Sequence, residues 1–96
     1  MIIKKYEYTP KYVCSRLMEI WIKDDIIIHK VKITGGCAGN TVGVSRLSEN
    51  REIDQVIKII QGIPCGNKPS SCPDQLATAL KMITNGELEP VETIKE

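Results

Sequence analysis

Cys14, Cys37, Cys65 and Cys72 are the residues whose chemistry stands out in this chain. The closest two lie in "CGNKPSSCPD", residues 65–74. Four thiolates gathered at one point can form a tetrahedral zinc site or hold an iron–sulfur centre. Thiols can also exchange with disulfides or carry persulfide sulfur. They can instead pack as small apolar side chains. Paired C-x2-C knuckles are absent, so spacing alone leaves the three readings open.

Position says more than spacing. Cys37 follows "TGG" at the start of an expected helix, and Cys72 sits in "SSCPD" at the start of another. A helix N-terminus offers free backbone N–H groups and the positive end of the dipole, both of which favour thiolate. Around Cys72 the sequence predicts Ser71 as N-cap and Asp74 as the third helical residue, a capping-box-like spacing. Pro73 fits the first turn, where N–H groups lack intrahelical partners. Cys65 falls in "IPCGN", a turn composition, and Cys14 precedes the first long strand pair.

Other chemistry is hard to assemble. His29 is the single histidine and lies in an expected strand, where an imidazole is more often structural than a ligand. No Ser/His/Asp set or P-loop pattern occurs. "GGCAGN" could cradle an anion at a helix start, but tight strand-to-helix geometry explains its glycines better. Asp24 and Asp25 read as turn residues.

The elements that must carry the cysteines follow from periodicity. Leu17–Ile22 and Ile26–Thr34 are rich in β-branched and apolar residues, with Lys23-Asp24-Asp25 as the turn between them. Val31 and Ile33 alternate with Lys30 and Lys32, which predicts an antiparallel hairpin with one buried face. A strand near Lys4–Thr9, ended by Pro10, can join as a third member. "CAGNTVGVSRLS" predicts a helix with Ala38, Val42 and Leu47 on one side. Gly39 and Gly43 cost it up to about 1 kcal/mol each, which suggests close packing or a close backbone approach. Ile53, Val56, Ile57 and Ile60 follow helical spacing, with Asn50 as cap and Gly62 as stop. Leu76, Leu80 and Ile83 mark a third helix, with Gly86 as its left-handed end. "ELEPVETIKE" reads as a frayed polar tail.

Composition sets the frame. The chain has 96 residues, of which 42% are hydrophobic and 26% charged, with a formal net charge of +1. That length suits one domain with a thin core, which a metal or a dimer interface would help. The charge balance lacks the basic footprint of a nucleic-acid binder. No run approaches the roughly 18 apolar residues of a membrane span. "MIIKKYEYTP" lacks the apolar run of a signal peptide, so a cytoplasmic location is expected. Reduced, metal-bound or catalytic cysteines suit that compartment better than structural disulfides.

"SSCPD" resembles the motif that names the TSCPD domain, with Ser70 in place of threonine. "GGCAGN", "CGN" and "SSCPDQLA" stand in that family's order and spacing, over about Tyr6 to Ile83. Such domains occur near the C-terminus of vitamin B12-dependent ribonucleotide reductases and in small stand-alone four-cysteine proteins. The resemblance implies a zinc or iron–sulfur site at Cys14, Cys37, Cys65 and Cys72 and no settled activity. It can also attract the label ribonucleotide reductase, a chemistry that needs a large barrel and a radical cysteine. A fainter similarity is to NifU-type iron–sulfur scaffolds, in which Cys14, Cys37 and Cys72 would match the three ligands. There Arg16 and Ser71 depart from the pattern, and Cys65 has no counterpart.

The expectation is therefore an α+β fold. A small antiparallel sheet of two to three strands precedes about three helices packed on one of its faces. Residues 1–86 form one domain and 87–96 a tail. The expected role is a non-catalytic metal module, accessory to a larger enzyme or acting as a homodimer, with no nucleic-acid or membrane partner. The alternative is a thiol-redox or sulfur carrier using Cys37, Cys65 and Cys72.

Overall fold

The structure, a computed structural model, describes residues 1–11, 13, 15–36, 38–63 and 70–95, with the backbone alone at 38–40. The chain runs β1 (Ile2–Tyr8), β2 (Ser15–Lys23), β3 (Ile27–Gly35), α1 (Ala38–Ser48), α2 (Ile53–Ile60), α3 (Cys72–Thr84) and β4 (Glu92–Lys95). The strands form one antiparallel sheet in the order β3-β2-β1-β4. This is the expected α+β architecture with one strand more than expected.

Alternation decides which face is buried. On β2, Met18, Ile20 and Ile22 are fully buried, and their register partners Tyr8, Tyr6, Ile33 and Val31 lie on the same face. Ile53, Val56, Leu76, Ala79 and Leu80 from α2 and α3 close the core over them. Each fully buried Ile or Leu contributes roughly 1.5–3 kcal/mol relative to exposure. The opposite face is polar. There Trp21 lies between Lys5 and Lys30, whose Nζ atoms are 5.3 and 5.2 Å from the ring centroid. Lys5 also pairs with Glu19 at 3.0 Å.

The β2–β3 turn has the expected aspartates. Asp24 and Asp25 both have positive φ, and Ile26 N–H donates to the Lys23 carbonyl, as in a type I′ turn. Asp24 further accepts from Ile2 N–H at 3.0 Å, tying the turn to β1.

Four expectations are corrected. The end of the chain is not frayed: Thr93 and Ile94 pair with Lys4 and Ile3, and Val91 N–H donates to the Lys5 carbonyl. β1 presents an open row of backbone groups, and a β-branched segment after Pro90 satisfies them. On α1 the apolar side is not the buried one. Val42 is 49% and Leu47 69% exposed, while Thr41, Ser45 and Ser48 are buried. Ser45 and Ser48 donate to the carbonyls of Thr41 and Val44 at 2.8 Å, so their hydroxyls enter the interior satisfied. A Cβ at Gly43 would meet nothing within 4 Å, so close packing does not explain that glycine.

Asn50, finally, does not cap α2. Its φ is 65°, and the N-cap residue is Glu52, without a side-chain cap bond. The 50–53 link instead runs along β3. Asn50 N–H donates to the Ile28 carbonyl, Ile28 N–H to Arg51 and Ile53 N–H to Ile26. That covers one end of the β3 edge. The helical stripes of α2 and α3 stand as expected, with Ile57, Ile60 and Ile83 partly buried against the core. α3 ends in a Schellman arrangement: Glu87 N–H bonds the Met82 carbonyl, Gly86 N–H bonds Ile83, and Gly86 has φ 75°. Among the described residues, no helix is long and apolar enough to cross a membrane.

Candidate functional site

Of the four cysteines, Cys72 lies within the described residues; Cys14, Cys37 and Cys65 lie outside them. The site is therefore built outward from Cys72, the first residue of α3. Ser71 is the N-cap, and its hydroxyl accepts from Asp74 N–H at 3.2 Å. Pro73 follows in the first turn. The local geometry is what "SSCPD" predicts, because each residue satisfies or avoids a free helical N–H.

The tertiary surroundings of Cys72 are not local. Its Sγ donates to Ser15 Oγ at 3.4 Å. A Cβ on Gly36 would stand 3.5 Å from the same sulfur and 3.5 Å from Ser15 N. Gly36 has φ +76°, a conformation that L side chains rarely adopt. Its glycine therefore serves two ends: it turns the chain from β3 into α1, and it leaves space beside the sulfur. Ser15 is the residue after Cys14, and Gly36 the residue before Cys37.

The remaining polar groups of the motif hold two other stretches of chain. Ser71 Oγ donates to the Ile63 carbonyl. Asp74 Oδ1 accepts from Gly62 N–H at 2.6 Å, and Oδ2 accepts from Ser70 Oγ at 2.6 Å. These bonds fasten the chain two residues before Cys65. Gln75 Oε1 accepts from Lys11 N–H at 2.8 Å and from Tyr8 Oη at 3.0 Å. Its Nε2 donates to Ser70 Oγ at 3.1 Å. A backbone N–H can only donate, so the Lys11 contact fixes which end of the carboxamide is oxygen. Gln75 is only 7% exposed, and its polar atoms are used at both ends.

Electrostatics follow from these bonds. The Ser70 hydroxyl, then the Gly62 N–H, hold the Asp74 carboxyl below the usual carboxylate range. Burial, assisted by the Asp74 charge, pushes the Tyr8 phenol up. His29 is exposed on β3 beside the irregularity in the β2–β3 register. Among the described residues, no group of three or more His, Cys, Asp or Glu side chains is placed to hold a metal.

Sequence reasoning found Ser71, Cys72, Pro73 and Asp74 but missed Ser15, Gly36, Ser70 and Gln75 as their partners. One signal was present. Positions 72, 75 and 79 share a helical face, so a glutamine there falls on the flank of the buried stripe. Buried polar side chains need partners, and those lie in distant segments.

In comparison with known proteins, the family model of the TSCPD domain matches residues 3–84. No curated protein and no solved structure matches the chain.

Proposed function

The chain belongs to the TSCPD domain family, and we propose that it is a metal-binding module, accessory and non-catalytic in itself. In this reading Cys14, Cys37, Cys65 and Cys72 supply thiolates to zinc or an iron–sulfur cluster. The observation that carries it is the convergence of sequence neighbours on one sulfur. Ser15, one peptide bond after Cys14, and Gly36, one before Cys37, both stand beside Cys72 Sγ. Ile63, two residues before Cys65, is bonded to Ser71. Support for the reading comes from these three described neighbours; Cys14, Cys37 and Cys65 themselves lie outside the described residues.

The donor chemistry fits the group. Thiolates are the usual ligands of structural zinc and of iron–sulfur centres. Glycine at position 36 leaves room beside Cys72 that a side chain would fill. When bound, the metal would supply a cross-link between the segments that hold Cys14, Cys37 and Cys65 and the start of α3. A structural zinc would stabilise such a thin domain by on the order of 10 kcal/mol.

Anaerobic purification followed by metal analysis and an optical spectrum tests the reading. Near-stoichiometric zinc, or an iron–sulfur chromophore, is expected. A metal-free folded protein with four titratable thiols would overturn it. Rapid alkylation of Cys37, Cys65 and Cys72 in that protein would favour the thiol-carrier reading instead.

A further inference from the structure

One run of hydrogen bonds crosses the base of α3 without a break. Lys11 N–H and Tyr8 Oη donate to Gln75 Oε1, Gln75 Nε2 donates to Ser70 Oγ, Ser70 Oγ donates to Asp74 Oδ2, and Gly62 N–H donates to Asp74 Oδ1. Its two ends are the backbone of Lys11, three residues before Cys14, and of Gly62, three before Cys65. Gln75 and Ser70 are buried, so little water competes for these bonds. Among the described residues, the Ser70 hydroxyl is the hydrogen-bonded link between the Asp74 and Gln75 side chains, donating to the first and accepting from the second.

We propose that Gln75, Ser70 and Asp74 are positioning residues that couple the backbone at Lys11 to the backbone at Gly62, so that the two are ordered together. Each half alone would anchor one segment. Joined through Ser70, a donor polarised at one end strengthens the bond at the other, and loss of either end loosens both. The consequence for metal binding rests on the four-thiol reading above. The coupling itself does not, because it concerns bonds present without metal.

The relay also explains the buried polar side chains of Ser70 and Gln75 at the start of α3, where capping alone needs Ser71 and Asp74. Ser70 and Gln75 contribute nothing to the cap. They are buried at 4% and 7% exposure, which two unlinked surface residues would not be.

The test is amide hydrogen exchange of Lys11 and Gly62, read residue by residue in the full chain without added metal. The variants are Ser70→Ala, Ser70→Thr, Asp74→Asn and Asp74→Ala. Asp74→Ala removes the acceptor of Gly62, and coupling predicts that protection falls at Lys11 as well, by about tenfold or more. Ser70→Ala should lower protection at both ends, and Ser70→Thr, which keeps the hydroxyl, should restore it. Asp74→Asn, which keeps an acceptor for Gly62, should fall between. Loss at Gly62 alone in Asp74→Ala, with Lys11 unchanged, would overturn the proposal, as would equal loss in Ser70→Ala and Ser70→Thr. Melting curves recorded alongside separate global unfolding, which lowers protection throughout α3 and β2, from the local effect.

A second arm measures zinc affinity by competition with a chromophoric chelator. Ser70→Ala should bind zinc about 10- to 100-fold more weakly than Ser70→Thr. If the unaltered chain binds no zinc, the metal reading fails while the exchange result still decides the coupling.

Discussion

The Sγ of Cys72 donates to the Oγ of Ser15 across 3.4 Å, joining residues 57 positions apart in the chain. The contact puts the start of α3 against the start of β2, and the strand-to-helix turn at Gly36 closes over the same point. If this is the seat of a four-thiol centre, single Cys→Ser variants at 14, 37, 65 and 72 should behave alike. Each should lose bound metal and melt well below the parent by a similar margin. A thiol that only packs would cost about 1 kcal/mol, and unequally from site to site. Metal content and melting temperature of the four variants check this.

Gly36 and Gly43 should respond in opposite directions to alanine. Gly36 has φ +76°, so Gly36→Ala should destabilise the fold by about 1–2 kcal/mol and fill space beside Cys72. Gly43 sits in a helix with nothing within 4 Å of a built Cβ. Gly43→Ala should stabilise by about 0.5–1 kcal/mol, which for a domain this size raises the melting temperature by several degrees. Urea midpoints of the two variants measure both effects.

Ser71→Ala should cost about 1–2 kcal/mol, towards the upper end of N-cap substitutions. The hydroxyl both accepts from Asp74 N–H and donates to the Ile63 carbonyl, so its removal strands two backbone groups. The Ser71→Thr variant keeps the hydroxyl and should recover most of the loss. Equilibrium unfolding of the pair is the measurement.

Alkaline pH should weaken the fold through Tyr6 and Tyr8. Burial is the main cause that raises both phenols above their ordinary value of about 10. The folded state then holds these protons more tightly than the unfolded state. The stability they contribute is complete below about pH 10 and is lost as pH rises through the folded-state values. Absorbance of tyrosinate, followed against pH with and without urea, should show two phenols that ionise late in the folded protein. Urea midpoints should fall over the same range.

Much of this fold is legible in the sequence because its causes are local. β-Branched and apolar runs at Leu17–Ile22 and Ile26–Thr34, with alternation at Lys30–Ile33, mark the hairpin, and Asp24-Asp25 marks its turn. The i, i+3, i+4, i+7 spacing marks α2 and α3, and Ser71-Cys72-Pro73-Asp74 marks the start of α3. Each signal reflects a constraint that a few neighbouring residues impose on one another.

What failed to show in the sequence depends on what a segment meets after folding. The run from Glu92 to Lys95 becomes a strand because β1 has an open edge to pair with. α1 turns its hydroxyls inward and leaves Leu47 outside because Ser45 and Ser48 satisfy themselves on the preceding turn. Types and spacing of residues identified the cysteines, the capped helix and the family resemblance. Tertiary structure alone decided that Ser15 and Gly36 stand beside Cys72, that Ser71 bonds Ile63 and that Gln75 bonds Tyr8 and Lys11. Contacts across tens of residues leave no periodic trace, since their energy comes from desolvated partners that only the closed fold brings together.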